Sequence, residues 1–320
     1  MLDEGLLGRR VVLRYERDDP AGRPPLSDLI GTLTGLTEDA VTIHTSGGLR
    51  TVRRAAVRAA KAVEANRRDV LELARIGRLG WRAATRTQLD GWLLDADLGW
   101  TGRANSALPL GQLDRPLDAG LVELRSYYEG RGLLAQIQLP LPARSALDAA
   151  LAERGWTVQR PSLVLTRSLA APWPTREMES ASVAGSARTL ACTLADRPDR
   201  DWLATYHYRG GQLPAGAVDL LTRHERVRFA AIRDGQQVLA IGRATVDEGW
   251  LGITAVEVAP THRRRGLAGD MMRALLDWGR SQAGAACYLQ VDGANTAALA
   301  LYRGLGFTVH HRYHYRVPPA

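Results

Sequence analysis

Apolar and polar residues alternate along the first 62 positions, the period-two pattern of half-buried strands. RRVVLRYE, IGTLTGLTEDAVTIHT and GGLRTVRRAAVRAA carry it, with turns at Thr37-Glu38-Asp39 and Ser46-Gly47-Gly48. The pattern predicts a small five-stranded β-barrel holding one long polar loop, ERDDPAGRPPLSD. EANRRDVLELARI, residues 64–76, shifts to a helical period and predicts a helix leading away. Toward the C-terminus, RFAAIRDGQQVLAIGRATVDEGWLGITAVEVAP predicts a meander with an Asp234-Gly235 turn. LAGDMMRALLDWGRSQAG predicts an amphipathic helix ending at Gly284, and ACYLQV a buried strand. NTAALALYRGLG predicts a short helix and FTVHHRYHYRV a last strand or hairpin.

Between these segments the pattern repeats at one constant offset. Sliding the chain by 151 residues lays Pro109 on Pro260, Leu121 on Met272, ERGWTV (153–158) on GLGFTV (304–309) and Gly91 on Gly242. A single gap-free offset points to duplication. The organisation expected is an SH3-like barrel over 1–62 followed by two lobes of mixed α/β (α+β) sheet in tandem, 63–172 and 173–320.

Composition narrows the class without naming a function. No apolar run is long enough to span a bilayer, and MLDEGLLGRR lacks the apolar stretch of a signal peptide. Cys192 and Cys287 form no motif, so a reducing cytoplasm is expected. The net charge of +8 is spread along the chain with no basic tail, which does not indicate nucleic acid. His310, His311 and His314 fall on alternate faces of one strand with no carboxylate or cysteine in the local sequence, so no metal site is expected.

The densest positive charge meets the loosest backbone at VEVAPTHRRRGLAGDMM, residues 256–272, a strand-to-helix turn. A helix start presents unpaired N–H groups and the positive end of the dipole. Gly266, Leu267, Ala268 and Gly269 open the helix, and the small ones keep side chains away; Arg263, Arg264 and Arg265 rim it. Such a turn can cradle a pyrophosphate. It is not a Walker loop, because no G-K-[ST] follows, nor a dinucleotide loop, because one glycine of G-x-G is missing.

The sequence around this turn resembles the GNAT superfamily of N-acetyltransferases over roughly residues 180–318. The residues that carry the resemblance are the strand V-x-V-x-P (Val256, Val258, Pro260), R-x-x-G-x-A (Arg263, Gly266, Ala268), then Asn295 and ALYRGLGF (300–307). The resemblance implies acetyl-CoA as cosubstrate, with its pyrophosphate on the turn and its pantetheine arm between diverging strands. Backbone groups of Val256 and Val258, together with Asn295, would hold the arm. Tyr302 stands where the family often places a general acid. In a subgroup that acts on protein N-termini, a glutamate lies twelve residues before that tyrosine; here the position is Gln290. Glu257 is the substitute base, with Asp247, Glu248 and Asp292 behind it. In the first repeat LGQLDRPLD (110–118) replaces the glycine turn and Leu151 replaces Tyr302, so that lobe is expected to have lost the coenzyme site.

DRDWLATYHYRGGQLPAG (199–216) is expected near the acceptor, with Trp202, Tyr206, His207 and Tyr208 as pocket or core residues and Asp292 as a further substrate contact. The activity implied is direct acetyl transfer to an amine of a small molecule or a protein. A non-catalytic acetyl-CoA-binding module is the alternative. The barrel is expected to dock a protein partner or a second copy of the chain.

Overall fold

The computed structural model describes residues 2, 6–7, 10–17, 26–45, 48–63, 65–171, 173, 190–207, 211 and 213–319. Most of the polar loop expected after Glu16 lies outside these, as do Tyr208 and Glu64.

The first five strands are β1 (Arg10–Glu16), β2 (Leu26–Leu36), β3 (Ala40–Thr45), β4 (Gly48–Arg53) and β5 (Val57–Ala62). They pair antiparallel in the order β4-β3-β2-β1-β5, and inward-facing Val11, Leu13, Leu33, Val41, Ile43 and Val52 form their core. The expected barrel does not close: among the described residues no ladder joins β4 to β5, and the sheet is open. Alternation fixes which face is buried, but closure depends on how far two edge strands curl toward each other. The unit leans on the rest of the chain through an ion pair of Arg10 with Asp69 and a bond from the Ser168 hydroxyl to the Thr34 carbonyl.

Helix α1 (Arg67–Leu79) begins three residues later than expected. Asn66 sets the start, because its side chain accepts the Asp69 N–H at 2.9 Å. The segment expected as the first repeat follows as β6 (Thr85–Leu89), β7 (Trp92–Ala96), β8 (Ser106–Pro109), α2 (Leu117–Glu129), β9 (Ile137–Leu141), α3 (Ser145–Glu153) and β10 (Thr157–Ser168). The second opens with β11 (Cys192–Ala195), α4 (Arg200–Thr205) and α5 (Ala217–Thr222). It then gives β12 (Val227–Asp234), β13 (Gln237–Asp247), β14 (Trp250–Val258), α6 (Leu267–Ser281), β15 (Ala286–Asp292), α7 (Thr296–Gly304) and β16 (Thr308–Val317). Helix α3 shifted by 151 falls on α7 end to end, and Thr157 falls on Thr308.

One Gly pair does not hold. Gly91 sits in the turn between β6 and β7, whereas Gly242 lies inside β13. The second hairpin has longer strands, eight and eleven residues against five and five, so the offset breaks there.

All eleven strands of both repeats form one mixed sheet, ordered β11-β12-β13-β14-β15-β10-β16-β9-β8-β7-β6. The last strand of each repeat crosses into the other's half: β10 pairs with β15, and β16 pairs with β9. At the centre β10 and β16 run antiparallel, and Ser162 pairs with Tyr313, which is 151 residues later. A residue opposite the one at the expected offset is what a pseudo-two-fold axis between two repeats would give. Helices α6 and α7 cover one face of the second half over a core that includes Met271, Met272, Leu275 and Phe307. The opposite face is covered by Trp81, Trp202, Tyr206, Leu220 and Leu221, a layer drawn from both repeats. Among the described residues no helix is long and apolar enough to cross a membrane.

Candidate active site

Strands β14 and β15 pair in parallel from Trp250↔Ala286 to Ile253↔Leu289, and beyond those residues they no longer pair with each other. The gap opens at a bulge. Arg243 faces Thr254 and Ile241 faces Glu257, leaving Gly242 opposite both Ala255 and Val256. Ala255 takes the left-handed conformation, φ 54°, a local strain of roughly 1–3 kcal/mol. Gly242 lets α6 approach closely, since a Cβ there would lie 3.0 Å from the Met271 sulfur and 3.1 Å from a Leu275 methyl. Beyond the bulge Val256 and Val258 pack toward the core under α6, while Ala255 contacts the Trp202 side. The β14 backbone beyond Ile253 therefore presents polar groups to the gap that β15 leaves unpaired.

At the end of β14 the chain turns into α6. Arg264 (φ 64°) and Gly266 (φ 82°) both adopt left-handed backbone, and Gly266 is the residue before the helix. Buried Leu267 anchors the helix start in the core. The first helical bond at this end runs from the Asp270 N–H to the Gly266 carbonyl, 3.1 Å; the N–H groups before it have no partner within the helix. A Cβ on Gly269 would meet nothing within 4 Å, so the front of this start is open. Arg263, Arg264 and Arg265 are exposed around it, and Arg263 Nε donates to the Val258 carbonyl at 3.2 Å. Open N–H groups, a helix dipole and three guanidiniums fit a doubly charged phosphate ester.

Asn295 caps α7, its side chain accepting the Ala298 N–H at 3.0 Å. Tyr302, two turns on, is 7% exposed and stands edge-on to Phe307, ring centroids 6.0 Å apart. Burial pushes its hydroxyl up to about 12, so it stays protonated at neutral pH.

On the opposite face of β14 the Glu257 carboxylate accepts the backbone N–H of His207 at 2.8 Å and meets its ring Nδ1 at 2.9 Å. Two residues fifty positions apart are thus one unit. Trp202, expected as a pocket or core residue, is core: 1% exposed, with its indole N–H on the Ala230 carbonyl at 2.9 Å. Tyr206 packs edge-on to it at 5.6 Å. Asp292 is exposed and accepts the Ala294 N–H. Asp247 and Glu248 lie at the far end of β14, bonded to His224 and Arg75, and are removed from the gap.

Sequence reasoning missed Arg103. It belongs to the first repeat, yet its Nε donates to the Gln290 side chain of β15 at 2.6 Å. Nothing local in either segment signals a contact across 187 positions. The histidine cluster also differs from expectation. His310 and His311 bond each other, and His314 finds a carboxylate after all, Asp148 of α3, at 2.8 Å.

At the corresponding place in the first half a cavity of about 340 Å³ remains, lined among others by Leu113, Arg115, Leu117 and Arg144, and its polar groups bond to groups of the same half. Arg144, 151 residues before Asn295, donates from Nε to the Pro109 carbonyl at the end of β8 (2.6 Å) and also bonds the Leu110 carbonyl. Arg115 grips Asp90 with two bonds of 2.8 Å, and the Asp114 N–H joins the same carboxylate. Pro116 precedes α2 and offers no donor.

Residues 65–316 match the family model described as "Probable histone acetyltransferase Rv0428c C-terminal". The chain is 30% identical over 331 residues to the "Probable histone acetyltransferase Rv0428c" of Mycobacterium tuberculosis (strain ATCC 25618 / H37Rv), covering 97% of this chain and 94% of that one. It is 25% identical over 253 residues to the "Uncharacterized N-acetyltransferase YobR" of Bacillus subtilis (strain 168), covering 78% and 98%. A solved GCN5-related N-acetyltransferase from Kribbella flavida shares the fold, with TM-score 0.56, 16% identity, and 81% and 97% of the two chains covered.

Proposed function

Because the chain belongs to the family described as probable histone acetyltransferase Rv0428c C-terminal, and is an acyltransferase of the GCN5-related N-acetyltransferase type, we propose that its second repeat moves an acetyl group from acetyl-CoA to a primary amine. The observation that carries this reading is the junction of the unpaired β14 edge with the open, arginine-rimmed start of α6. The N–H groups of residues 266–269, with Arg263, Arg264 and Arg265, hold the pyrophosphate. The β14 backbone at Val256 and Val258 holds the pantetheine amides, with Asn295 across the gap. Acetyl-CoA supplies an activated thioester. Backbone N–H groups at the β14 bulge steady negative charge on the carbonyl oxygen, and Tyr302, kept protonated by burial, gives its proton to the departing sulfur.

The mycobacterial relative's name, a probable histone acetyltransferase, makes a protein lysine the first acceptor to assay, with polyamines and other small amines beside it. We read the first repeat as a lobe without a coenzyme site, since Pro116 removes a donor at the start of α2 and the Asp114 N–H, Arg115 and Arg144 are bonded within the lobe itself. We read residues 1–62 as an SH3-like unit that docks a partner, and the free Cys192 and Cys287 as those of a cytoplasmic protein.

Titration of acetyl-CoA into the full chain tests the reading. One site per chain is expected, and Gly266→Asp should remove it, because that change adds a carboxylate and a Cβ in left-handed backbone where the pyrophosphate sits. Two sites, or a folded Gly266→Asp protein with wild-type affinity, would sink the assignment of the cradle.

A further inference from the structure

We infer that His207 takes the proton from the acceptor amine, and that Glu257 is the positioning residue that fixes which imidazole nitrogen does so. The inference rests on the N-acetyltransferase reading above and deepens it.

Both oxygens of Glu257 are committed to one residue, Oε2 to the His207 backbone N–H and Oε1 to its ring Nδ1. An ionised carboxylate only accepts, so Nδ1 carries the hydrogen and Nε2 holds the free lone pair. Among the described residues Nε2 has no hydrogen-bond partner. The His207 side chain is 51% exposed against 20% for Glu257, so the ring is the accessible end of the pair. Strand geometry places its partner on the stretch of β14 that borders the gap. Glu257 lies between Val256 and Val258, and successive strand side chains point to opposite faces. Val256 and Val258 turn to the α6 side, and Glu257 turns to the opposite side, where the exposed His207 ring stands at the edge of the layer that holds Trp202 and Tyr206.

The aromatic density of the 199–208 segment gains a purpose from this. Trp202 and Tyr206 are core anchors, and His207 follows directly on Tyr206, the residue that ends α4. Two buried rings hold the backbone whose N–H is clamped by Glu257. The charged groups on the elements nearby are Glu257 itself, Arg263 at the Val258 carbonyl, Arg243 of β13, buried and bonded to the Leu221 and Gly80 carbonyls, and at the far end of α4 Arg200 with Asp199 and Asp201, both paired to Arg233. In the step proposed, Nε2 accepts a proton from the ammonium and releases it to water. The freed amine forms the nitrogen–carbon bond as the carbon–sulfur bond breaks. The nitrogen sheds its second proton to water, and the sulfur takes one from Tyr302, which is reprotonated from solvent.

Two variants separate the roles. His207→Gln keeps a donor to Glu257 and leaves that carboxylate charged. Glu257→Gln offers an amide donor to Nδ1 and drives the ring proton to Nε2. With Nα-acetyl-lysine amide, spermidine or an aminoglycoside as acceptor, each variant should lower kcat by about 10²-fold or more with the KM for acetyl-CoA unchanged. The double variant should be no slower than either single one, because the pair acts as a unit. The loss should narrow as pH rises toward the amine's own pKa, where no base is needed. A wild-type kcat for His207→Gln beside a dead Glu257→Gln would overturn the inference and make Glu257 the base. Nitrogen NMR of labelled histidine gives an answer that needs no turnover: Nδ1–H is expected in the wild type and Nε2–H in Glu257→Gln, and a wild-type ring protonated on Nε2 overturns it as well. An enzyme that binds acetyl-CoA but acetylates none of these amines counts against the parent reading, while the NMR still decides the tautomer.

Discussion

Tyr302 is the residue whose two identities are easiest to separate. It is packed as a core ring against Phe307, and it carries a hydroxyl whose burial keeps it neutral far above physiological pH. Tyr302→Phe preserves the packing and removes only the proton. If the hydroxyl serves the leaving sulfur, kcat should fall about 10²–10⁴-fold while the KM for acetyl-CoA stays where it is. Steady-state kinetics with the fastest acceptor would show it, and an unchanged kcat would leave Tyr302 as a core aromatic alone. Individual residues were unevenly legible. The turn proposed as the cradle could be singled out because all its members lie between Arg263 and Gly269. The partnership of Glu257 with His207 could not, because fifty positions and a whole hairpin separate two ordinary polar residues. Arg103 had no signal at all, since its target is on a strand of the other repeat.

Elements were more legible than their partners. Period-two and period-3.6 patterns marked β12 to β16 and helices α6 and α7 close to their observed bounds, and Asn66 explains the three-residue shift of α1. Pattern says which face of a strand is buried and leaves open which strand lies beside it. That is why the N-terminal sheet was expected closed and is open, and why one sheet crossing both repeats was not foreseen. The same geometry bears on what the N-terminal sheet does. It meets the main body through Ser168, which pairs with Ala286 at the start of β15, and through Asp69 of α1. The β14–β15 gap opens beyond Leu289, at the other end of that strand. Removal of residues 1–62 should therefore leave the dissociation constant of acetyl-CoA unchanged while lowering the melting temperature, because the buried Ser168 hydroxyl loses its acceptor. Calorimetric titration of the shortened chain checks this; a constant raised by on the order of tenfold or more would mean that the sheet shapes the site.

At the scale of the molecule, the exchange of β10 and β16 makes the repeats interdependent. A chain cut between them would leave 173–320 with seven residues of β15 facing water where β10 should lie, from Ala286 to Asp292. It would also strip β16 of both neighbours. Such open, largely apolar edges seek a partner. The pseudo-two-fold axis at Ser162–Tyr313 specifies which one: β16 is the repeat mate of β10, so a second copy of 173–320 can supply its own β16 to the empty β15 edge. The isolated fragment should be a dimer, or insoluble, and co-expression with 63–172 should convert it to a one-to-one complex that binds acetyl-CoA. Light scattering after size exclusion distinguishes these states. A monomeric 173–320 that is folded and binds acetyl-CoA would show that β10 is dispensable to the second half. The dimer, if it forms, would place two cradles on one sheet, so titration should then give one acetyl-CoA per fragment, two per particle, where the full chain gives one.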